Sequence, residues 1–114
     1  MDIEKLREFC LSLPGTTEGL KWGDHLCFMI AEKMYLISSL DDTSFSIKCD
    51  PEDFDELVAR EGIEQAAYMA KRQWVKVASL DLMTDEELKE RIKKSRALVL
   101  SKLTKKLQAL YGEG

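Results

Sequence analysis

The chain has 114 residues, 45% of them hydrophobic and 33% charged, and its formal net charge is −4. This is the length and composition of one soluble globular domain, 1–114, with enough apolar content to bury a core. Its apolar runs fall far short of the roughly 20 residues that a membrane-crossing helix needs, and no basic-then-apolar leader opens the chain. The expected location is therefore cytoplasmic, with no membrane partner.

Residues 2–13 read as an amphipathic helix. Asp2 supplies a cap, and Ile3, Leu6, Phe9, Cys10 and Leu13 recur at helical spacing. Pro14-Gly15 ends it. Residues 16–23 read as a loop with at most a short extended piece at 18–20. Alternation then predicts strands over 24–31, 34–39 and 43–49, joined by short turns at Glu32-Lys33 and Leu40-Asp41-Asp42. Asp50-Pro51 opens a second helix, with Glu52, Asp53, Asp55 and Glu56 at its positive end, and Gly62 closes it. Residues 63–67 read as a loop or short extended piece, and 73–78 as a strand. Thr84-Asp85-Glu86-Glu87 predicts a capping box. Leu88, Ile92, Val99, Leu103, Leu107 and Leu110, with Ser95 in register, predict one last helix running to about residue 111.

The order helix, three strands, helix, strand, long helix predicts an α+β fold. An antiparallel sheet would carry the helices on one face and leave the other face free. Cys10, Cys27 and Cys49 are odd in number and widely spaced, which fits neither a disulfide framework nor a metal knuckle. They are expected to be reduced and buried.

Charge is unevenly placed. Residues 1–66 hold 15 acids against 6 bases, and residues 67–114 hold 6 acids against 11 bases. The basic half opens with Tyr68-Met69-Ala70-Lys71-Arg72-Gln73-Trp74-Val75-Lys76-Val77, whose alternation puts Trp74 and Lys76 on one strand face and Val75 and Val77 on the other. Cations for phosphates and an aromatic for stacking are what nucleic-acid binding requires. The candidate binding residues are Lys48, Lys71, Arg72, Trp74 and Lys76, with Arg91, Lys93, Lys94 and Arg96 on the last helix as auxiliaries. The alternative is a binding module for an anionic small molecule or a protein, using a sheet face that carries His25, Cys27, Met29, Ser46, Lys48, Trp74 and Lys76. His25 and Cys27 share a strand side but lack a third and fourth ligand, so no metal is expected. No phosphate loop or nucleophile elbow is present, and the lone histidine is assigned no acid partner. No catalytic residue, no cofactor and no enzyme activity are therefore expected.

Several fragments, in this order and spacing, carry a resemblance. They are Leu13-Pro14-Gly15-Thr16, Trp22-Gly23, Phe28-Met29-Ile30, Lys33-Met34-Tyr35, Ser46-Ile47-Lys48, Tyr68, Lys71, Trp74-Val75-Lys76-Val77, Ser95 and Leu98-Val99. The chain resembles the MmcQ/YjbR family, small bacterial domains with a CyaY/frataxin-like fold. The resemblance covers nearly the whole sequence and implies that fold. The family is described as DNA-binding-like, which implies DNA as a partner. Three positions depart from its usual pattern: Glu32 stands where a glycine is common, Gln65-Ala66-Ala67 where a proline is common, and Arg96 where a tyrosine often follows the serine.

Overall fold

Asp2 accepts a hydrogen bond from the Lys5 backbone N–H at 2.8 Å and so starts α1 (Ile3–Ser12), which buries Leu6 and Cys10. The structure is a computed structural model and describes residues 1–111. After Pro14-Gly15 the chain enters β1 (Thr16–Lys21), where a loop was expected. The strand pairs along its length with β2 (His25–Ile30), from Thr16 opposite Ile30 to Lys21 opposite His25. It lies at the sheet edge and stays half-exposed, so its sequence shows no hydrophobic alternation.

The β2–β3 turn falls one residue earlier than expected, on Ala31 and Glu32. Both have left-handed backbones, φ 49° and 65°, the pair a tight hairpin requires. In β3 (Lys33–Ser39) the register slips: Phe28 faces Leu36 but Met29 faces Met34. Tyr35 is the extra residue of this bulge. Its buried hydroxyl bonds Thr16 Oγ1 at 2.9 Å and donates to the Cys10 carbonyl at 3.4 Å, tying the sheet to α1.

The chain continues through β4 (Phe45–Lys48), α2 (Pro51–Val58), β5 (Ile63–Gln65), β6 (Trp74–Val77), a 3-10 turn (Leu80–Leu82), α3 (Asp85–Ser101) and α4 (Lys105–Tyr111). The six strands form one antiparallel sheet in the order β1-β2-β3-β4-β6-β5. Phe28, Leu36, Ile47, Val75 and Val77 meet Leu6 and Cys10 of α1, Phe54 and Leu57 of α2, and Leu88, Ile92 and Val99 of α3 in a single core on one sheet face. The α+β expectation, with helices against one face, is met.

Ser95 explains its own place in the α3 apolar stripe. Fully buried, its hydroxyl donates to the Tyr35 carbonyl at 2.5 Å and accepts from the Lys48 N–H at 2.9 Å, bracing β3 against β4. Thr84 caps α3 by accepting from Glu87 N–H at 3.1 Å. The Glu87 carboxylate does not return to Thr84 as a capping box would have it. It takes the Arg60 guanidinium at 2.5 Å and joins the end of α2 to the start of α3.

The last helix is not continuous. It breaks at 102–104, and Thr104 Oγ1 restarts it by accepting from Leu107 N–H at 3.3 Å. Folding α4 back brings the Tyr111 ring over Gly15, where an added Cβ would collide with it. Arg96 sits at this junction, nine-tenths buried, and donates from Nη2 to the Pro14 carbonyl at 2.5 Å and the Tyr111 carbonyl at 2.7 Å. No described helix is long and apolar enough to cross a membrane.

Candidate functional site

Strand β6 has the facing that alternation predicts: Val75 and Val77 enter the core, while Trp74 and Lys76 point to the second sheet face. Lys48 lies directly opposite Trp74, and Ser46 opposite Lys76. That face is not free, however. Segment 66–73 crosses it and covers Trp74, which is only 6% exposed and packs with Cys27, Ile37 and Ala66, flanked by Met34 and Met69. The indole offers no open surface for a stacking base.

Gln65 fixes this covering segment, a role the sequence did not suggest. Its Nε2 donates to the Ala66 carbonyl at 2.9 Å and the Met69 carbonyl at 3.3 Å, and its Oε1 accepts from Arg72 N–H at 2.9 Å. One side-chain amide thus bonds backbone groups along the length of an irregular loop. Tyr68 and Arg72 within it adopt left-handed backbones, φ 65° and 61°.

The candidate cations are drawn in different directions. Arg72 turns toward α2, forks onto Asp55 at 2.9 and 3.0 Å and lies 5.6 Å over the Phe54 ring. Lys71 and Lys76 are exposed, and Lys48 is half-buried at the far end of β4. Of the auxiliaries, Arg91 is paired with Asp53 at 2.8 Å and Arg96 is consumed structurally. Trp74 and Lys76 therefore share a face, Lys48 is paired opposite Trp74 but lines a separate cleft toward α2 and α3, and Lys71 and Arg72 belong to the segment above the face.

What the second face does hold is a cavity of about 560 Å³. Its floor is Ile37, Met34 and Ser46 of the sheet, its roof is Ala66 to Met69, and Lys76 stands at one side. Two aromatics border it. Trp22, in the β1–β2 turn, is 67% exposed, and Tyr68 is fully exposed. Both are non-glycine residues in left-handed backbone, with Trp22 at φ 53°. The Trp22 and His25 rings meet edge-to-face at 5.8 Å. His25 does have an acid partner, its own neighbour Asp24, whose Oδ1 lies 2.6 Å from Nδ1. A carboxylate only accepts, so Nδ1 carries the proton in this pair. The bond to His25, followed by one to Asp41, holds the Asp24 carboxyl below its usual range, and Asp24 in turn raises Asp41.

Among the described residues, no group of three His, Cys, Asp or Glu is placed to hold a metal ion. His25 reaches the cavity, but Cys27 is fully buried and burial pushes its thiol up. The three aspartates opening α2 have partners within the protein. Asp50 caps the helix by accepting from Asp53 N–H, Asp53 meets Arg91 and Lys94, and Asp55 meets Arg72.

An all-antiparallel six-stranded sheet, with helices over one face and a strapped cavity on the other, defines a small α+β domain. The family model described as YjbR matches residues 11–98, and the chain belongs to the YjbR family. The crystal structure of a Deinococcus radiodurans protein, described by a DUF419 domain, is similar with a TM-score of 0.87 and 27% identity, covering 97% of this chain and 88% of that one. A Pseudomonas syringae protein of known structure shares the fold with a TM-score of 0.73 and 20% identity, covering 86% of this chain and 98% of that one. No curated protein matches the sequence.

Proposed function

We propose that this protein is a non-catalytic binding module whose sheet-face cavity takes a small molecule with a planar apolar body and an anionic group. The observation that carries the reading is the pair Trp22 and Tyr68. Both border the same cavity, both expose large rings to solvent, and both hold backbones that only glycine adopts without strain. Exposed apolar rings on strained backbone cost stability, and a bound ligand would repay that cost. The volume falls within the ordinary range of ligand sites, roughly 300–1,000 Å³. Lys76 supplies the cation for an anionic group, and Ser39, Ser46 and His25 supply hydrogen-bonding groups around the apolar floor.

Anilinonaphthalene sulfonate, a planar apolar anion, is a direct probe. Saturable fluorescence enhancement is expected, with each of Trp22→Ala and Tyr68→Ala weakening binding about fivefold, as the loss of one aromatic contact of about 1 kcal/mol implies. Unchanged melting midpoints in both variants would separate this from binding to loosened chains. Equal affinity in wild type and both variants would remove the cavity from consideration.

A second reading is nucleic-acid binding through Lys48, Lys71, Arg72, Trp74 and Lys76. It is favoured by one observation: Lys71, Lys76 and Lys93 are exposed and form no ion pair among the described residues. It requires bases to stack on Trp22 or Tyr68 rather than Trp74, since Trp74 is covered. It predicts labelled-DNA anisotropy that falls steeply with added salt and is lost when Lys71, Arg72 and Lys76 become alanine. DNA binding with those properties, and no response to the sulfonate probe, would favour this reading over the first.

A further inference from the structure

A second, smaller cavity of about 270 Å³ opens where β4 ends and α2 and α3 meet, away from the strapped sheet face. Lys48, Arg91 and Lys94 line it, together with Asp50, Asp53 and the apolar wall of Ala97 and Leu98. The acids are already engaged. Asp50 Oδ1 caps α2, and Asp53 Oδ2 accepts Arg91 Nη1 at 2.8 Å with Lys94 Nζ at 3.7 Å. Lys48 is different. The residue is half-buried, and its ammonium has no acid partner among the described residues. Burial first, and the like charge of Lys102 second, push it down from its ordinary range. Three lining cations plus Lys102 outnumber two lining carboxylates, in a chain whose net charge is −4.

A cluster of cations drawn together without enough counter-charge is destabilised by mutual repulsion. The arrangement makes physical sense if an anion completes it. An unpaired ammonium, and a guanidinium with nitrogens to spare beyond its one bond to Asp53, suit tetrahedral oxyanions, which accept several charge-assisted hydrogen bonds at once. The cavity is large enough for one such group.

We propose that this cleft binds the terminal phosphate group of a small molecule, with Lys48 as the central donor and Arg91 and Lys94 flanking it. The site is independent of the sheet-face cavity, so either proposal stands or falls without the other.

Inorganic phosphate is the probe, titrated into the full chain and followed by backbone amide NMR, with ionic strength held constant by sodium chloride. The expected result is saturable shifts confined to 48–53 and 91–102. Lys48→Met should weaken binding about tenfold, the loss that follows removal of one charge-assisted hydrogen bond. Lys102→Met, at an exposed position, should weaken it in the same direction without risk to folding, and Lys48→Arg should retain it. Trp22→Ala should leave phosphate affinity unchanged while it weakens the sulfonate probe. Three outcomes would overturn the proposal: no saturable shift, shifts reproduced by chloride alone, or equal affinity in wild type and Lys102→Met. A fourth is preferential binding at the same amides by an oligonucleotide without a terminal phosphate, which would transfer the site to backbone diesters.

Discussion

Single residues in left-handed backbone divide into those that turn the chain and those that present a side chain. Glu32 is of the first kind. It sits at φ 65° in the β2–β3 turn, its side chain is exposed, and none of the hydrogen bonds or ion pairs found involves its carboxylate. A non-glycine residue pays about 1–2 kcal/mol for this conformation. Glu32→Gly should therefore raise stability by about 1 kcal/mol in urea unfolding, less the added flexibility of the unfolded chain. No gain would mean that the turn relaxes without strain. Tyr68 has the same φ, yet its ring borders the cavity, so Tyr68→Gly should stabilise the fold while weakening the sulfonate probe. Ser95 is the opposite case, a small polar residue whose removal costs more than its size suggests. Ser95→Ala strands the buried Lys48 N–H and Tyr35 carbonyl and should cost about 2–4 kcal/mol, read from the urea midpoint.

At the scale of elements, segment 66–73 decides what the second sheet face is. Gln65 holds it by three hydrogen bonds, and Trp74 is the side chain it hides. In a Trp22→Phe background, where Trp74 is the only indole left, Gln65→Ala should red-shift emission and increase acrylamide quenching while the sheet core stays folded. Emission identical to the parent would show that the Met34 and Met69 packing and the Arg72–Asp55 pair hold the segment down without Gln65. Much of the architecture was legible because its signals are local: alternation through β2 and β4, the apolar run of β3, the Asp50-Pro51 start of α2, and the Thr84 cap. Strand β1 was not legible, because an edge strand with a half-wet face needs no alternating pattern. The break at 102–104 was hidden because the leucine stripe keeps its spacing across it, although Leu110 ends up two-thirds exposed. The cavity was unreadable for a longer-range reason. Trp22, His25, Tyr68 and Lys76 come together only once β1, β2, β6 and segment 66–73 are assembled, and alternation says which side Trp74 faces but not what later crosses it.

At the scale of the whole molecule, the buried ionisable groups set an asymmetric response to pH. Burial pushes the Cys10 thiol from 9.0 up to about 12 and the Cys49 thiol up to about 11, and burial likewise raises the Tyr35 hydroxyl. Each of these groups is neutral in the fold, and in the unfolded chain it ionises at its ordinary value. Below about pH 9 both states hold the protons and the stabilisation is complete. Above it the unfolded chain releases protons that the folded chain retains, so stability falls until the folded values are reached. For Cys10 the fall approaches about 1.4 kcal/mol per pH unit, and Cys49, raised less, contributes over a narrower window. The acid side is gentler. Hydrogen bonds to His25 and Ser44, and the N-terminal ammonium, lower Asp24, Asp42 and Asp85 respectively, which favours folding above their usual range and is lost as pH falls through the lowered values. These carboxylates are exposed, and the raised Asp41 works against them. Urea midpoints taken from about pH 2 to about pH 11 should therefore show a plateau, a shallow acid shoulder below about pH 4 and a steep alkaline limb. Cys10→Ala should lower the plateau by opening a small cavity and make the alkaline limb shallower. An alkaline limb of unchanged slope in that variant would assign the loss to Tyr35, whose hydroxyl bonds the same stretch of α1 and β1.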